Sequence, residues 1–240
     1  MIIVYQLNNL LKDSEARLNL ASNVSETLNQ MFGRAFARMK NFDQNNPHHC
    51  YDLLIHTLQT VAGLDRFCND SEVLPMLRVA ALFHDIGKPS VAQEKNGRSV
   101  FYGHAAKSAE ISAPLLTQIG YSQDEVSLVL FYIAHHDDFI SFKLRDEMPD
   151  KPNPYIKEIN KNNIESQIKS TIRKCREMGS YIPSKYDYLN LMDLCCADAS
   201  AQSEHVVMNG VCVDGSKQKI KRMKAIKKII EELSVDKGDI

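Results

Sequence analysis

The run Leu77-Arg78-Val79-Ala80-Ala81-Leu82-Phe83 is apolar on nearly every side of a helix and stops on the pair His84-Asp85, followed by Ile86-Gly87-Lys88-Pro89. A helix with no polar face must lie among other elements, so the chain is constrained to wrap this segment from all sides. The same constraint carries an imidazole and a carboxylate into the interior. A carboxylate desolvated in that way needs positive charge beside it. A divalent metal ion is the expected partner.

Around this segment the apolar pattern is helical. Val24, Leu28, Met31, Phe32, Phe36 and Met39 recur at three- and four-residue steps and predict one amphipathic helix, ended by Asn45-Asn46-Pro47. Tyr51, Leu54, Ile55, Leu58, Val61 and Ala62 predict a second, carrying His56, and the apolar run from Pro75 to Phe83 a third that stops at Gly87. Asn96-Gly97, between flanks that can pair, predicts a short β-hairpin or tight loop close to the His-Asp pair. A fourth helix follows Gly103, distorted near Pro114 and closed by Gly120, and Ser122-Gln123-Asp124-Glu125 reads as a capping box for a fifth. Residues 139–162 are polar and read as a long loop or insertion. Ile164, Ile168 and Ile172 mark another helix, Ser184-Lys185-Tyr186-Asp187 caps one running to Asp198, and Lys217 to Leu233 forms a basic amphipathic helix. The expected class is all-α, with an N-terminal helical segment (1–46), a central domain (47–205) and a C-terminal helix (206–240).

With 240 residues the chain can bury a core without a stabilising metal, so any metal is expected to be functional. A formal net charge of -1 gives no global attraction to nucleic acid or anionic lipid, and a phosphate-bearing partner must meet local basic groups. The six cysteines (Cys50, Cys68, Cys175, Cys195, Cys196 and Cys212) show no CxxC spacing and read as reduced thiols. The opening Met-Ile-Ile-Val-Tyr is too short for a signal segment and no long uncharged apolar stretch follows, so the expected location is cytoplasmic, without membrane contact.

His56, His84, Asp85 and Asp198 fall on three separate helices and can meet only if those helices bundle with these faces inward. Asp198 ends the apolar stripe Leu191, Leu194, Cys195, which turns its carboxylate toward the core. Two imidazoles and two carboxylates suit Mn, Fe, Co, Ni or Zn and leave coordination positions open, a catalytic pattern. His136 continues the stripe Val129, Ile133, whereas His135 lies on the neighbouring face, so His136 is the inward residue of that pair. With Asp85 bridging, His104 and His136 could hold a second ion. The alternative is that His104 caps its helix and His136 meets substrate. Lys88, Arg98 and Lys107 are candidate phosphate clamps, and Asp85 and Lys88 candidate catalytic residues. His48-His49 is expected to end a loop rather than bind metal.

The order His56, then His84-Asp85-Ile86-Gly87-Lys88, then Asp198 resembles the HD superfamily of metal-dependent phosphohydrolases. Phe42-Asp43-Gln44-Asn45-Asn46-Pro47-His48-His49, Asn96-Gly97-Arg98 with Phe101-Tyr102-Gly103-His104, and Ala197-Asp198-Ala199 with Ala201-Gln202 resemble more narrowly the HD domain of bacterial CCA-adding tRNA nucleotidyltransferases and poly(A) polymerases. The resemblance implies metal ligands at His56, His84, Asp85 and Asp198 and second-metal positions at His104 and His136. The nucleotidyltransferase head, with its glycine-rich turn and paired aspartates, has no counterpart before Asn41, so nucleotide addition is not expected.

Three functions follow as expectations. The first is hydrolysis of a phosphomonoester or phosphodiester of a nucleotide or RNA end, using one or two divalent ions. The second keeps the ligands but employs iron to activate oxygen, as some HD-fold oxygenases do. The third is a non-enzymatic module that binds RNA or a partner subunit through Lys217, Lys219, Lys221, Arg222, Lys224, Lys227 and Lys228.

Overall fold

The computed structural model describes residues 2–12, 27–208, 211–213 and 215–233. In chain order its helices are α1 (Ile2–Lys12), α2 (Leu53–Phe67), α3 (Leu74–Phe83), the single turn α4 (Lys88–Val91), α5 (His104–Ile119), α6 (Gln123–His135), α7 (Lys161–Glu177), α8 (Lys185–Ser200) and α9 (Ser216–Glu232). Short strands lie between them: β1 (Gln93–Lys95) with β2 (Arg98–Val100), β3 (Phe142–Lys143) with β4 (Lys157–Glu158), and β5 (Val206–Met208) with β6 (Val211–Val213). The fold is all-α in class, and these pairs are its only sheets among the described residues.

The apolar run is α3, and it touches α1, α2, α5, α6 and α8. Every residue from Leu77 to Phe83 is buried, including Arg78, whose guanidinium reaches Asp65 at 2.7 Å. Phe83 meets the rings of Phe32 and Phe36 edge-on, each at 5.1 Å between centroids. Such pairs add about 0.5–1.5 kcal/mol each beyond the apolar area they bury.

Local signals set several boundaries. Asp52 caps α2 by accepting from the Ile55 amide at 2.9 Å, and capping boxes at Ser122–Glu125 and Ser184–Asp187 start α6 and α8. Asn96 and Gly97 both take positive φ, 54° and 73°, which closes the β1–β2 hairpin with the turn expected of Asn-Gly. Gly63 lets α2 lie close on α8. A Cβ there would stand 2.8 Å from Ser200 Oγ and 3.2 Å from the Ala197 Cα. That close crossing puts His56, two turns before Gly63, beside Asp198, one residue after Ala197.

The structure departs from the sequence expectations at several places. The single helix expected from Val24 to Met39 is broken: residues 27–32 are helical, a 3-10 turn covers Gly33–Ala35, and turns follow to residue 41. Gly33 at φ 61° makes that break; Val24 lies outside the described residues. Helix α3 ends at Phe83 rather than Gly87. Gly87 has an ordinary φ of −78°, and it is needed for proximity, since a Cβ there would meet the Ser108 amide nitrogen at 2.6 Å and the His104 carbonyl oxygen at 2.8 Å. The insertion is anchored: Phe139 and Phe142 are fully buried with rings 5.3 Å apart, and the β3–β4 pair is parallel. The β5–β6 hairpin was not foreseen in an all-helical pattern.

The basic helix α9 lies along α8, burying Met223, Ile226 and Ile230. No helix among the described residues is long and apolar enough to cross a membrane. Cys50, Cys68, Cys175, Cys195 and Cys196 are free thiols; the side chain of Cys212 lies outside the described residues.

Candidate metal centre

Five helices meet at one point. Helix α2 brings His56 at its second turn, the end of α3 brings His84 and Asp85, α8 brings Asp198 in its last turn, and the facing ends of α5 and α6 bring His104 and His136. His56 Nε2 lies 3.0 Å from Asp198 Oδ1 and 3.5 Å from Asp85 Oδ2. His84 Nε2 lies 3.2 Å from Asp85 Oδ2 and 3.6 Å from Asp198 Oδ1. On the other side of the same carboxylate, Asp85 Oδ1 is 3.2 Å from His104 Nε2 and 3.8 Å from His136 Nε2. The six residues expected at the site are therefore together, with Asp85 in the middle.

The imidazoles are oriented from behind. His84 Nδ1 donates to the Ala81 carbonyl at 2.7 Å, His104 Nδ1 to Phe101 at 2.9 Å, His136 Nδ1 to Ile133 at 2.7 Å, and His56 Nδ1 to Ala201 at 3.2 Å. A carbonyl oxygen can only accept, so each Nδ1 carries hydrogen and each Nε2 is directed at the centre. His104 Nε2 and His136 Nε2 approach to 3.1 Å. Carbonyl-anchored imidazoles of this kind are the usual setting of metal-ligating histidines. Three buried atoms facing the centre, His56 Nε2, His84 Nε2 and Asp85 Oδ1, have no hydrogen-bond partner. Leaving buried polar atoms unsatisfied costs about 1–3 kcal/mol each. A cation among them removes that penalty, and the donor set of imidazole nitrogens and carboxylates fits a borderline divalent ion.

The titration behaviour has the same origin. Burial pushes His84 down, but the Asp85 and Asp198 carboxylates outweigh it and raise it to about 10. His56 is likewise raised by its two carboxylates against burial. Asp85 and Asp198 are held well below the usual carboxylate range, against their own desolvation, by the surrounding imidazoles and, for Asp85, Lys88. The carboxylates thus draw positive charge to the centre. His136, in contrast, is lowered, first by burial.

Lys88 is buried rather than a solvated charge. Its Nζ sits 2.7 Å from Asp85 Oδ2 and 2.9 Å from Gln44 Oε1, with the Phe101 ring 5.4 Å away. Its geometry makes it a fixed counter-charge that orients Asp85. The structure does not bring Arg98 and Lys107 to the centre. Arg98 pairs across the hairpin with Lys95, and Lys107 turns to Glu110 at 2.6 Å; neither borders the cavity over the site.

Several residues that meet at the site carry no assigned role in the sequence pattern. Asp137 Oδ2 lies 3.2 Å from His104 Nε2, and its Oδ1 3.7 Å from His136 Nε2. Its signal was its place in His135-His136-Asp137-Asp138, directly after an expected ligand. His135 is turned away, donating through Nδ1 to Asp138 at 3.0 Å. Gln202, one turn after Asp198, donates to both oxygens of that carboxylate at 3.4 and 3.3 Å. Gln44 is fully buried against Lys88. His49, its ring 5.0 Å from that of His56, is lowered to about 2, mainly by burial and then by Lys88, so it stands as a neutral wall of the site. Three groupings can each hold an ion: His56, His84 and Asp198; His84, Asp85 and His136; and His104, His136 and Asp137.

A cavity of about 370 Å³ opens onto the centre, bordered by Lys88, His104, Asp137 and Gln202 and, at its rim, by the exposed side chains of Tyr102 and Ile140. The model of the HD domain matches residues 53–180, whereas no curated protein matches the chain significantly. Asp198 lies beyond the matched segment, and it is the fold that returns it to His56. With more than half of its length in that match, the chain belongs to the HD-domain family.

Proposed function

We propose that the chain is a metal-dependent phosphohydrolase acting on a phosphate ester of a nucleotide or RNA end. The observation that carries this reading is the convergence of buried, unsatisfied Nε2 and Oδ1 atoms on one point beneath an open cavity. His56, His84, Asp85 and Asp198 would hold one divalent ion, and Asp85, His104, His136 and Asp137 a second. A bound ion supplies Lewis-acid polarisation of the phosphoryl oxygens and lowers the pKa of water that attacks phosphorus.

The chain's own residues fix position and charge. The four Nδ1 hydrogen bonds hold the imidazole planes, Gln202 orients Asp198, and Lys88 with Gln44 holds the Asp85 carboxylate. The buried Lys88 ammonium also adds positive potential where phosphate oxygens gather. Tyr102 and Ile140 offer apolar surface to a nucleobase at the cavity mouth. The narrower likeness to the HD domain of CCA-adding enzymes supports an RNA end as the substrate. The alternative in which α9 grips RNA has less support: Lys217 pairs with Glu204, Arg222 with Glu147 and Lys227 with Asp193.

The test is a screen of the purified protein, loaded with Mn, Ni or Co, against p-nitrophenyl phosphate, bis-p-nitrophenyl phosphate and 2′,3′-cyclic nucleotides. Turnover lost in Asp85→Ala is the expected result. No turnover with any combination overturns the reading, and a mixed-valent di-iron resonance in aerobic protein would favour oxygen chemistry at the same ligands.

A further inference from the structure

Beside the main cavity lies a second, of about 220 Å³, that shares His136, Asp137 and Asp198 with the metal centre. Its far wall comes from elements outside the ligand set. Lys143 stands on strand β3 of the insertion, and Lys219 and Arg222 stand one turn apart near the start of α9. Arg222 is only 5 % exposed and is held by Glu147 through its Nε at 2.6 Å. That anchorage leaves the position of the guanidinium fixed. Lys219 joins the amide oxygen of Gln202 and, at 3.4 Å, Nδ1 of His48, and Gln202 in turn holds Asp198. Ile140, Cys195 and Met223 give the cavity an apolar side.

Three cationic side chains thus converge on a small cavity that is continuous with the metal centre. Once divalent ions balance Asp137 and Asp198, no further carboxylate borders the cavity, and its remaining charged lining is Lys143, Lys219 and the Glu147-anchored Arg222. A guanidinium and two ammoniums beside an apolar surface suit a phosphate carried next to a hydrophobic group. We infer that this cavity is a second phosphate subsite: the substrate carries, besides the phosphate that reacts, another that does not and that is gripped by Lys143, Lys219 and Arg222. The inference rests on the phosphohydrolase reading and specifies its substrate as a bisphosphorylated molecule.

The subsite is tested by binding. Isothermal titration of the full chain with Mn present compares adenosine 3′,5′-bisphosphate with adenosine 5′-monophosphate, in the wild type, Lys143→Gln and Lys219→Gln. Both substitutions are at half-buried positions, and circular dichroism checks that the variants fold; Arg222 is left in place because its pair with Glu147 is buried. The wild type is expected to bind the bisphosphate about tenfold more tightly, and each variant to lose most of that preference, the worth of one charge-assisted hydrogen bond. Equal affinity for the two ligands in the wild type overturns the inference, and so does a preference that survives in both variants. Hydrolysis of p-nitrophenyl phosphate is measured in parallel and reports on the parent reading alone. Turnover with no bisphosphate preference sinks the subsite only; a preference without turnover on any substrate sinks the phosphohydrolase and leaves the subsite as a binding site.

Discussion

The two halves of the candidate metal centre are set at different depths. The side chains of His56, His84 and Asp85 are each 1 % exposed and that of Asp198 is 20 %, whereas His136, His104 and Asp137 rise from 3 through 13 to 36 %. The inner half is assembled from α2, α3 and α8, whose mutual contacts are part of the core. The outer half sits where the ends of α5 and α6 face the cavity. Under the proposed reading, an ion in the inner set would be the more enclosed of the two and would be held by the same packing that holds the fold. An ion in the outer set would stand at the wall that substrate reaches. Asp85 faces both sets and would join the deeper position to the more accessible one.

Breaking the shared residue should have the largest effect. Asp85→Ala is expected to lower phosphate-ester turnover by on the order of 10³-fold and to deplete both positions, read by steady-state kinetics and metal analysis. The halves should then separate. His56→Ala is expected to strip the inner ion, and Asp137→Asn to weaken the outer one while the inner remains, visible as different metal stoichiometries after dialysis. Equal depletion in the two variants would show that the halves are not distinct. One layer further out, Gln202→Ala should weaken metal affinity by about 10-fold or somewhat more, since it removes only the group that orients Asp198.

The packing beneath the inner half can be broken without touching a ligand. Gly63→Val is expected to force α2 from α8 and destabilise the protein by about 1–3 kcal/mol, with a lower Tm by calorimetry and poorer metal retention. The smallest effects belong to Arg98→Ala and Lys107→Ala, where turnover should change less than about twofold because neither residue borders the cavity. A tenfold loss in either would return them to the site.

The difference in depth also explains what could be read from the sequence. The burial of the inner candidate ligands is legible because it writes itself into periodicity: His84-Asp85 terminates a helix apolar all round, and Asp198 ends the stripe Leu191, Leu194, Cys195. The same periodicity separates His136, 3 % exposed beside Asp85, from His135, which turns to Asp138. Asp137 follows no stripe. It is partly exposed, lies just past a helix end, and is indistinguishable in pattern from its neighbour Asp138, which pairs with His135 and Thr171 instead. Lys88 was legible as important but not as buried, since its depth depends on Gln44, which comes from a turn 44 residues earlier in the chain. Arg98 and Lys107 do not reach the cavity, because closeness in sequence to the hairpin and to His104 does not fix the direction of a long side chain. The broken helix at Gly33 and the β5–β6 hairpin show where local pattern yields to turn geometry.

Three of the four imidazoles use one device, a hydrogen bond from Nδ1 to the carbonyl three residues earlier. For His84 and His136 that carbonyl lies in the final turn of a helix, where it would otherwise lack a partner. For His84 and His136 the orientation is consequently written within four consecutive residues and asks nothing of the segments that follow them. The segment after Asp137 is thus free to lengthen. The centre can survive large changes in loop length there, and a stretch such as residues 139–162 can be acquired immediately downstream of Asp137 and shaped for a new substrate while the ligands keep their aim.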